Sequence, residues 1–135
     1  MSYDVEMNTD TIHVNLHFKD RVCFLHGNSG TGKTYMLSKI QAHCIANGEP
    51  FVNVGDIGVQ SRDAELILNM CRGKNVVMFD RAEHYLTRQL LESVCALSPN
   101  LVIVCTKDVV TLSGVEHGEY VVEYTADSLG VRRVG

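Results

Sequence analysis

The sequence predicts an α/β protein: a three-layer sandwich around a mostly parallel five-stranded sheet, with one further strand near the N-terminus. Three observations carry that expectation. Short apolar segments of strand length alternate with segments whose apolar residues recur every three or four positions. Two of the short segments, Val76-Val77-Met78-Phe79 and Leu101-Val102-Ile103-Val104-Cys105, are continuous apolar runs, as in strands covered on both faces. A glycine-rich stretch separates an apolar strand from a helical pattern between His26 and Lys33.

Residues 1–10 are polar and read as a loose arm. Thr11 to Phe18 alternates, with Ile12, Val14, Leu16 and Phe18 on one face of a half-buried strand. Lys19-Asp20 interrupts it, and Arg21 to His26 is the next apolar run. The two-residue spacing suggests a hairpin between them. Met36, Leu37, Ile40 and Cys44 then mark a helix, stopped by Asn47-Gly48 with Pro50 beyond. Phe51 to Val54 is a short strand and Gly55 to Gln60 a loop. Ser61 is the expected N-cap of a helix carrying Ala64, Ile67, Leu68 and Cys71, which stops at Gly73. After the strand at 76–79, Ala82, Leu86, Leu90 and Val94 share one helical face, and Ser98-Pro99-Asn100 ends that helix. The strand at 101–105 follows. Residues 107–118 fit either a short helix or a turn, Tyr120 to Tyr124 is a last strand, and 125–135 reads as a loose tail.

The 135 residues correspond to a single domain over 1–135. With 45 % hydrophobic and 21 % charged residues, the composition excludes a disordered or fibrous chain. The net charge of −4 argues against a broadly basic nucleic-acid surface and leaves a local patch open. No apolar run approaches the ~20 residues of a membrane span, and the acidic start Met1-Ser2-Tyr3-Asp4-Val5-Glu6 does not resemble a secretory signal. Cys23, Cys44, Cys71, Cys95 and Cys105 lie in apolar segments without a CxxC pair, as expected for reduced, buried thiols in a cytoplasmic protein. His13 and His17 belong to an alternating segment and are expected on its solvated face.

Residues 27–34 read Gly27-Asn28-Ser29-Gly30-Thr31-Gly32-Lys33-Thr34, which is G-x-x-x-x-G-K-[ST]. Glycines at this spacing let the backbone turn its N–H groups inward around phosphate oxygens, and the following helix, with Tyr35 in its first turn, adds its positive end. Lys33 is expected to reach the β- and γ-phosphates of ATP, and the Thr34 hydroxyl to join a Mg²⁺ shell. On this motif the chain, from about Arg21 to Tyr124, resembles a P-loop NTPase. Val76-Val77-Met78-Phe79-Asp80 resembles the Walker B strand, which makes Asp80 the second metal residue. Leu101 to Cys105 followed by Thr106 resembles the sensor strand of the AAA+ and RecA-like class. In that reading Thr106 contacts the attacking water or the γ-phosphate; otherwise it caps the next segment. The resemblance implies five strands in spatial order 5-1-4-3-2. With its early hairpin before the P-loop and its missing lid, the chain resembles small stand-alone ATP-binding proteins of bacteria and their phages.

The chain departs from that class after Asp80, where Arg81 stands in place of the usual Glu. Glu83 is the candidate base, or else a first-turn acid favouring the helix dipole. Asp56 is either an acceptor-binding or basic group, or a loop residue. Arg132 and Arg133 are either an arginine finger for a neighbouring subunit or a solvated terminus. The function expected is Mg²⁺-dependent ATP binding with weak or partner-stimulated hydrolysis of the β–γ bond, with Lys33, Glu83 and Thr106 as catalytic residues. A protein partner or a second copy of the chain would receive the effect. The alternative is a nucleotide-gated binding module without turnover. A small-molecule or nucleotide kinase ranks third, because residues 107–118 contain only Lys107 and no Arg to cover phosphates. The sequence argues against a GTPase, because Thr106-Lys107-Asp108-Val109 does not meet [NT]-K-x-D, and Glu83 stands where D-x-x-G needs Gly. It also argues against an ABC-type head, because Leu112-Ser113-Gly114 follows the Asp80 strand and lacks the rest of that signature.

Overall fold

A computed structural model describes residues 2–26, 32–107, 112 and 114–134. Its elements run β1 (Tyr3–Asn8), β2 (His13–Phe18), β3 (Val22–His26), α1 (Lys33–Ala46), β4 (Phe51–Asn53), α2 (Gly55–Ser61), α3 (Ala64–Cys71), β5 (Val76–Phe79), a 3-10 turn (Ala82–His84), α4 (Arg88–Ala96), β6 (Leu101–Cys105), β7 (Gly118–Tyr124) and β8 (Ser128–Val134). Among the described residues the strands form one sheet in the order β1-β2-β8-β7-β3-β6-β5-β4. Pairing is antiparallel at β1/β2 and β7/β8. It is parallel at β2/β8, β3/β7, β3/β6, β5/β6 and β4/β5.

This corrects the expected fold class. The protein is not a mostly parallel five-stranded sandwich but a mixed eight-stranded sheet curled into a half-barrel, within which β7-β3-β6-β5-β4 keep the expected order 5-1-4-3-2. The physical cause lies at the two ends of the chain. The supposed arm at 1–10 contains β1, whose Tyr3, Val5 and Met7 alternate with polar residues and bury Val5 completely. The supposed tail contains β8, which buries Leu129 and pairs with both β7 and β2.

The expected hairpin between the segments at 11–18 and 21–26 is also absent. β2 pairs with β1 and β8, and the strands β8 and β7 lie between β2 and β3. Three strand spacings amount to ~14 Å, close to the full reach of four residue steps, so the curl of the sheet is what lets Phe18 connect to Val22. The crossing is held by Asp20. Its Oδ2 accepts the Tyr120 hydroxyl at 2.7 Å and the Arg133 Nε–H at 2.8 Å, while the Tyr120 oxygen accepts the Lys19 N–H at 2.9 Å.

Alternation along the central strands divides the core. Cys23, Leu25, Met78 and Ile103 face one side and pack with Met36, Leu37, Ile40 and Cys44 of α1. Phe24, Val77, Phe79, Val102 and Val104 face the other and pack with Ile67 of α3 and Leu90, Leu91 and Val94 of α4. Burial on both faces explains why these strands read as continuous apolar runs.

Three helix boundaries differ from expectation. Gly55–Ser61 is helical rather than a loop. Asp63 caps α3 instead of Ser61, accepting the N–H groups of Glu65 and Leu66 at 3.0 and 3.2 Å. The helix expected from Ala82 is split into the 3-10 turn and α4, which Thr87 caps by accepting the Leu90 N–H at 3.1 Å. No helix among the described residues is long and apolar enough to cross a membrane.

A Cβ on Gly118 would lie 1.9 Å from Asp20 Oδ2. We expect Gly118→Ala to lower the unfolding free energy by about 1–3 kcal/mol, read as a lower urea midpoint. The Arg133 guanidinium holds the Asp20 carboxyl below its ordinary range, with Tyr120 assisting against the opposing effect of burial. A depressed folded-state pKa gives stability that is present above about pH 4 and lost as pH falls through the folded value. Asp20→Asn should therefore be less stable at neutrality and show a shallower loss of stability on acidification below about pH 4.

Candidate functional site

The C-terminal ends of parallel strands are where open α/β sheets present ligand-binding groups. Here the ends of β5, β6 and β7 and the start of α1 enclose a cavity of about 520 Å³. α1 begins at Lys33 after Gly32, whose φ of 92° is left-handed and favours glycine. A Cβ at Gly32 would also lie 3.2 Å from Cδ2 of Tyr124. No side chain caps α1 and its first turn carries no acid, so its positive end is uncompensated there by these residues.

β5 delivers Asp80 to this cavity. The Thr34 hydroxyl donates to Asp80 Oδ2 at 3.1 Å, joining residues 46 positions apart. Asp80 is held twice more. Its Oδ1 accepts the Arg81 N–H at 3.0 Å, and its carbonyl accepts the Tyr85 hydroxyl at 2.6 Å. Burial first, and then the Asp80 charge, raise the Tyr85 pKa well above its ordinary value, so the phenol stays a donor. Thr34 and Asp80 are hard oxygen donors of the kind Mg²⁺ takes, and adjacent ligands of an octahedral Mg²⁺ lie ~3.0 Å apart. The residues present therefore fit that ion.

Beyond Asp80 the chain reverses sharply. Arg81 sits at φ 51° and ψ 43°, a left-handed conformation that costs a non-glycine residue about 1–2 kcal/mol. Its guanidinium pairs with Asp56 on α2. Glu83, in the 3-10 turn, lines the cavity, and its Oε1 accepts the Lys107 N–H at 3.2 Å. Cys105 forms part of the wall. Burial first, and then Asp80, push its thiol well above the ordinary range, so it is a neutral surface at physiological pH. A second cavity of about 700 Å³ adjoins the first at Thr34 and Asp80, with Asn53, Asp56 and Arg81 in its lining.

Gly32, Lys33, Thr34, Tyr35, Asp80 and Glu83 thus all line one cavity. Gly27, Asn28, Ser29, Gly30 and Thr31 lie outside the described residues. Thr106 is buried at the end of β6, between the cavity-lining Cys105 and Lys107. Arg132 and Arg133 lie on β8, where they pair with Glu123 at 3.2 Å and Asp20 at 2.8 Å.

Sequence reasoning missed two participants and one pairing. Tyr124 is a wall residue whose sequence signal was its place at the end of a strand. Tyr85 appeared only as part of a helical stretch. Arg81 and Asp56 were each singled out, but 25 residues of separation concealed their pairing.

No family model and no curated protein matches this chain. Among solved structures, a DNA replication initiation factor is similar in fold, with a TM-score of 0.56 and 16 % sequence identity. The match covers 75 % of this chain and 40 % of that one.

The seat of Tyr85 is testable. A Cβ on Gly58 would lie 2.8 Å from three atoms of the Tyr85 ring. Gly58→Ala is expected to cost about 1–3 kcal/mol in urea denaturation. Most of that cost should disappear in a Tyr85→Ala background, as a double-mutant cycle would show.

Proposed function

We propose that this chain binds ATP with Mg²⁺ and is a weak or partner-stimulated ATPase. The observation that carries the reading is the 3.1 Å contact between Thr34 and Asp80, beside Lys33 in a cavity at the start of α1. Two oxygen donors and an ammonium group converge there, as a triphosphate and its cation require. The sequence from Gly27 to Thr34 supplies the glycines and backbone donors suited to phosphate oxygens. The fold shared with a replication initiation factor is compatible with this reading.

In this proposal Thr34 and Asp80 hold the metal, which when bound draws charge from the phosphate oxygens. Lys33 binds the β- and γ-phosphates, and the first turn of α1 orients them through its N–H groups. Glu83 receives the proton of the attacking water, and its carboxylate is oriented for that task by the Lys107 N–H. A protein partner or a second copy of the chain responds to nucleotide state.

The second reading is a nucleotide-gated module that returns ATP unchanged. The Arg81–Asp56 pair favours it, because an arginine fixed to Asp56 stands directly after the metal-binding aspartate, where a water-activating acid would be expected.

Incubation of the purified protein with excess Mg·ATP, followed by chromatography of bound and free nucleotide, separates the two. Lys33→Ala should bind ATP at least tenfold more weakly. Glu83→Gln should retain ATP and release no phosphate. Recovery of intact ATP from the wild-type protein would overturn hydrolysis by the chain alone and favour the gated module, and absence of ATP binding would overturn both readings.

A further inference from the structure

The cavity wall carries two kinds of side chain: Lys33, Thr34 and Asp80 are polar or charged, and Tyr35 and Tyr124 are aromatic. Tyr124 is half-exposed, at 51 %, although it is large and apolar. Its position is nevertheless tightly determined. It is the last residue of β7 and pairs in register with Leu129 of β8. The turn after it is closed by the Thr125 N–H donating to the Ser128 carbonyl at 2.9 Å. The ring passes so close to Gly32 that a Cβ there would lie 3.2–3.5 Å from three of its side-chain atoms.

Tyr35 holds the ring from the side. The two centroids are 5.3 Å apart with an interplanar angle of 72°, an edge-to-face contact. Tyr35 is itself fixed on α1, with Lys39 Nζ 5.1 Å from its centroid. A half-exposed aromatic ring, braced by a second ring beside the start of α1, suits a ligand that carries both a planar ring and phosphates.

We propose that Tyr124 is the platform on which the base of the bound nucleotide stacks, with Tyr35 as its buttress. The inference rests on the nucleotide-binding reading above and adds the group that recognises the nucleoside. Tyr124 binds the base through its ring face, so an aromatic side chain is needed and the hydroxyl is not.

The test compares the affinities of Mg·ATP and Mg·tripolyphosphate, which shares the phosphates and lacks the base. Binding is read by calorimetry, and by quenching of tyrosine emission, since the chain contains no Trp. Tyr124→Leu keeps apolar bulk over Gly32 without a ring face, and thermal melting checks that it folds. ATP affinity should fall about tenfold or more in Tyr124→Leu, with tripolyphosphate affinity changing less than about twofold, and Tyr124→Phe should restore ATP affinity. Equal losses for both ligands would overturn the proposal, because Tyr124 would then act through Gly32 on the phosphate end. Unchanged ATP affinity in a folded Tyr124→Leu would also overturn it, and the nucleotide reading would stand. Failure of the wild-type protein to bind either ligand would overturn the nucleotide reading itself, and this inference with it.

Discussion

The architecture depends on one carboxylate. Asp20 sits where the chain crosses from β2 to β3 and accepts hydrogen bonds from Tyr120 of β7 and Arg133 of β8. Those two strands fill the space between β2 and β3. A short connector can span them only where the sheet curls, and Asp20 ties that connector to both. The absence of a side chain at Gly118 leaves room for the contact.

That placement has consequences at the other end of β7. Because β7 lies against β3, its last residue, Tyr124, reaches the start of α1 and lies over Gly32. The same sheet brings Asp80 from β5 to Thr34 of α1. Around Asp80, local constraints accumulate: a left-handed Arg81, a phenol hydrogen bond from Tyr85, and the Gly58 backbone pressed against the Tyr85 ring. Such strain is tolerated where neighbouring contacts over-determine the conformation, and here they fix one carboxylate.

Much of the candidate site was legible because its chemistry is local in sequence. A run of glycines ending in Lys33 and Thr34 states both the residue types and their spacing. Asp80 after four apolar residues was legible as a strand ending in an acid. The contacts of Glu83 with Lys107, Arg81 with Asp56 and Tyr124 with Gly32 were not, because each joins residues 24 or more apart by a contact with no periodic trace. In the fold, β1 carried a period-two pattern in Tyr3, Val5 and Met7 that its acidic composition obscured. β8 carried a weaker one, with Gly130 and adjacent arginines in a strand that buries only Leu129. Its existence is decided by pairing, where β-propensity is most sensitive to context.

The sequence by itself determined the two-faced central strands, the amphipathic helices and the glycine run ending in Lys33 and Thr34, because these follow from side-chain periodicity and short-range spacing. Tertiary structure alone decided that the sheet has eight strands, that β8 and β7 separate β2 from β3, and that Tyr124 joins the cavity wall. Strand pairing is a contact between distant segments. Its register and partner depend on which edges are still unpaired when the chain folds and on how far the sheet curls, and neither is written in the pattern of any one segment.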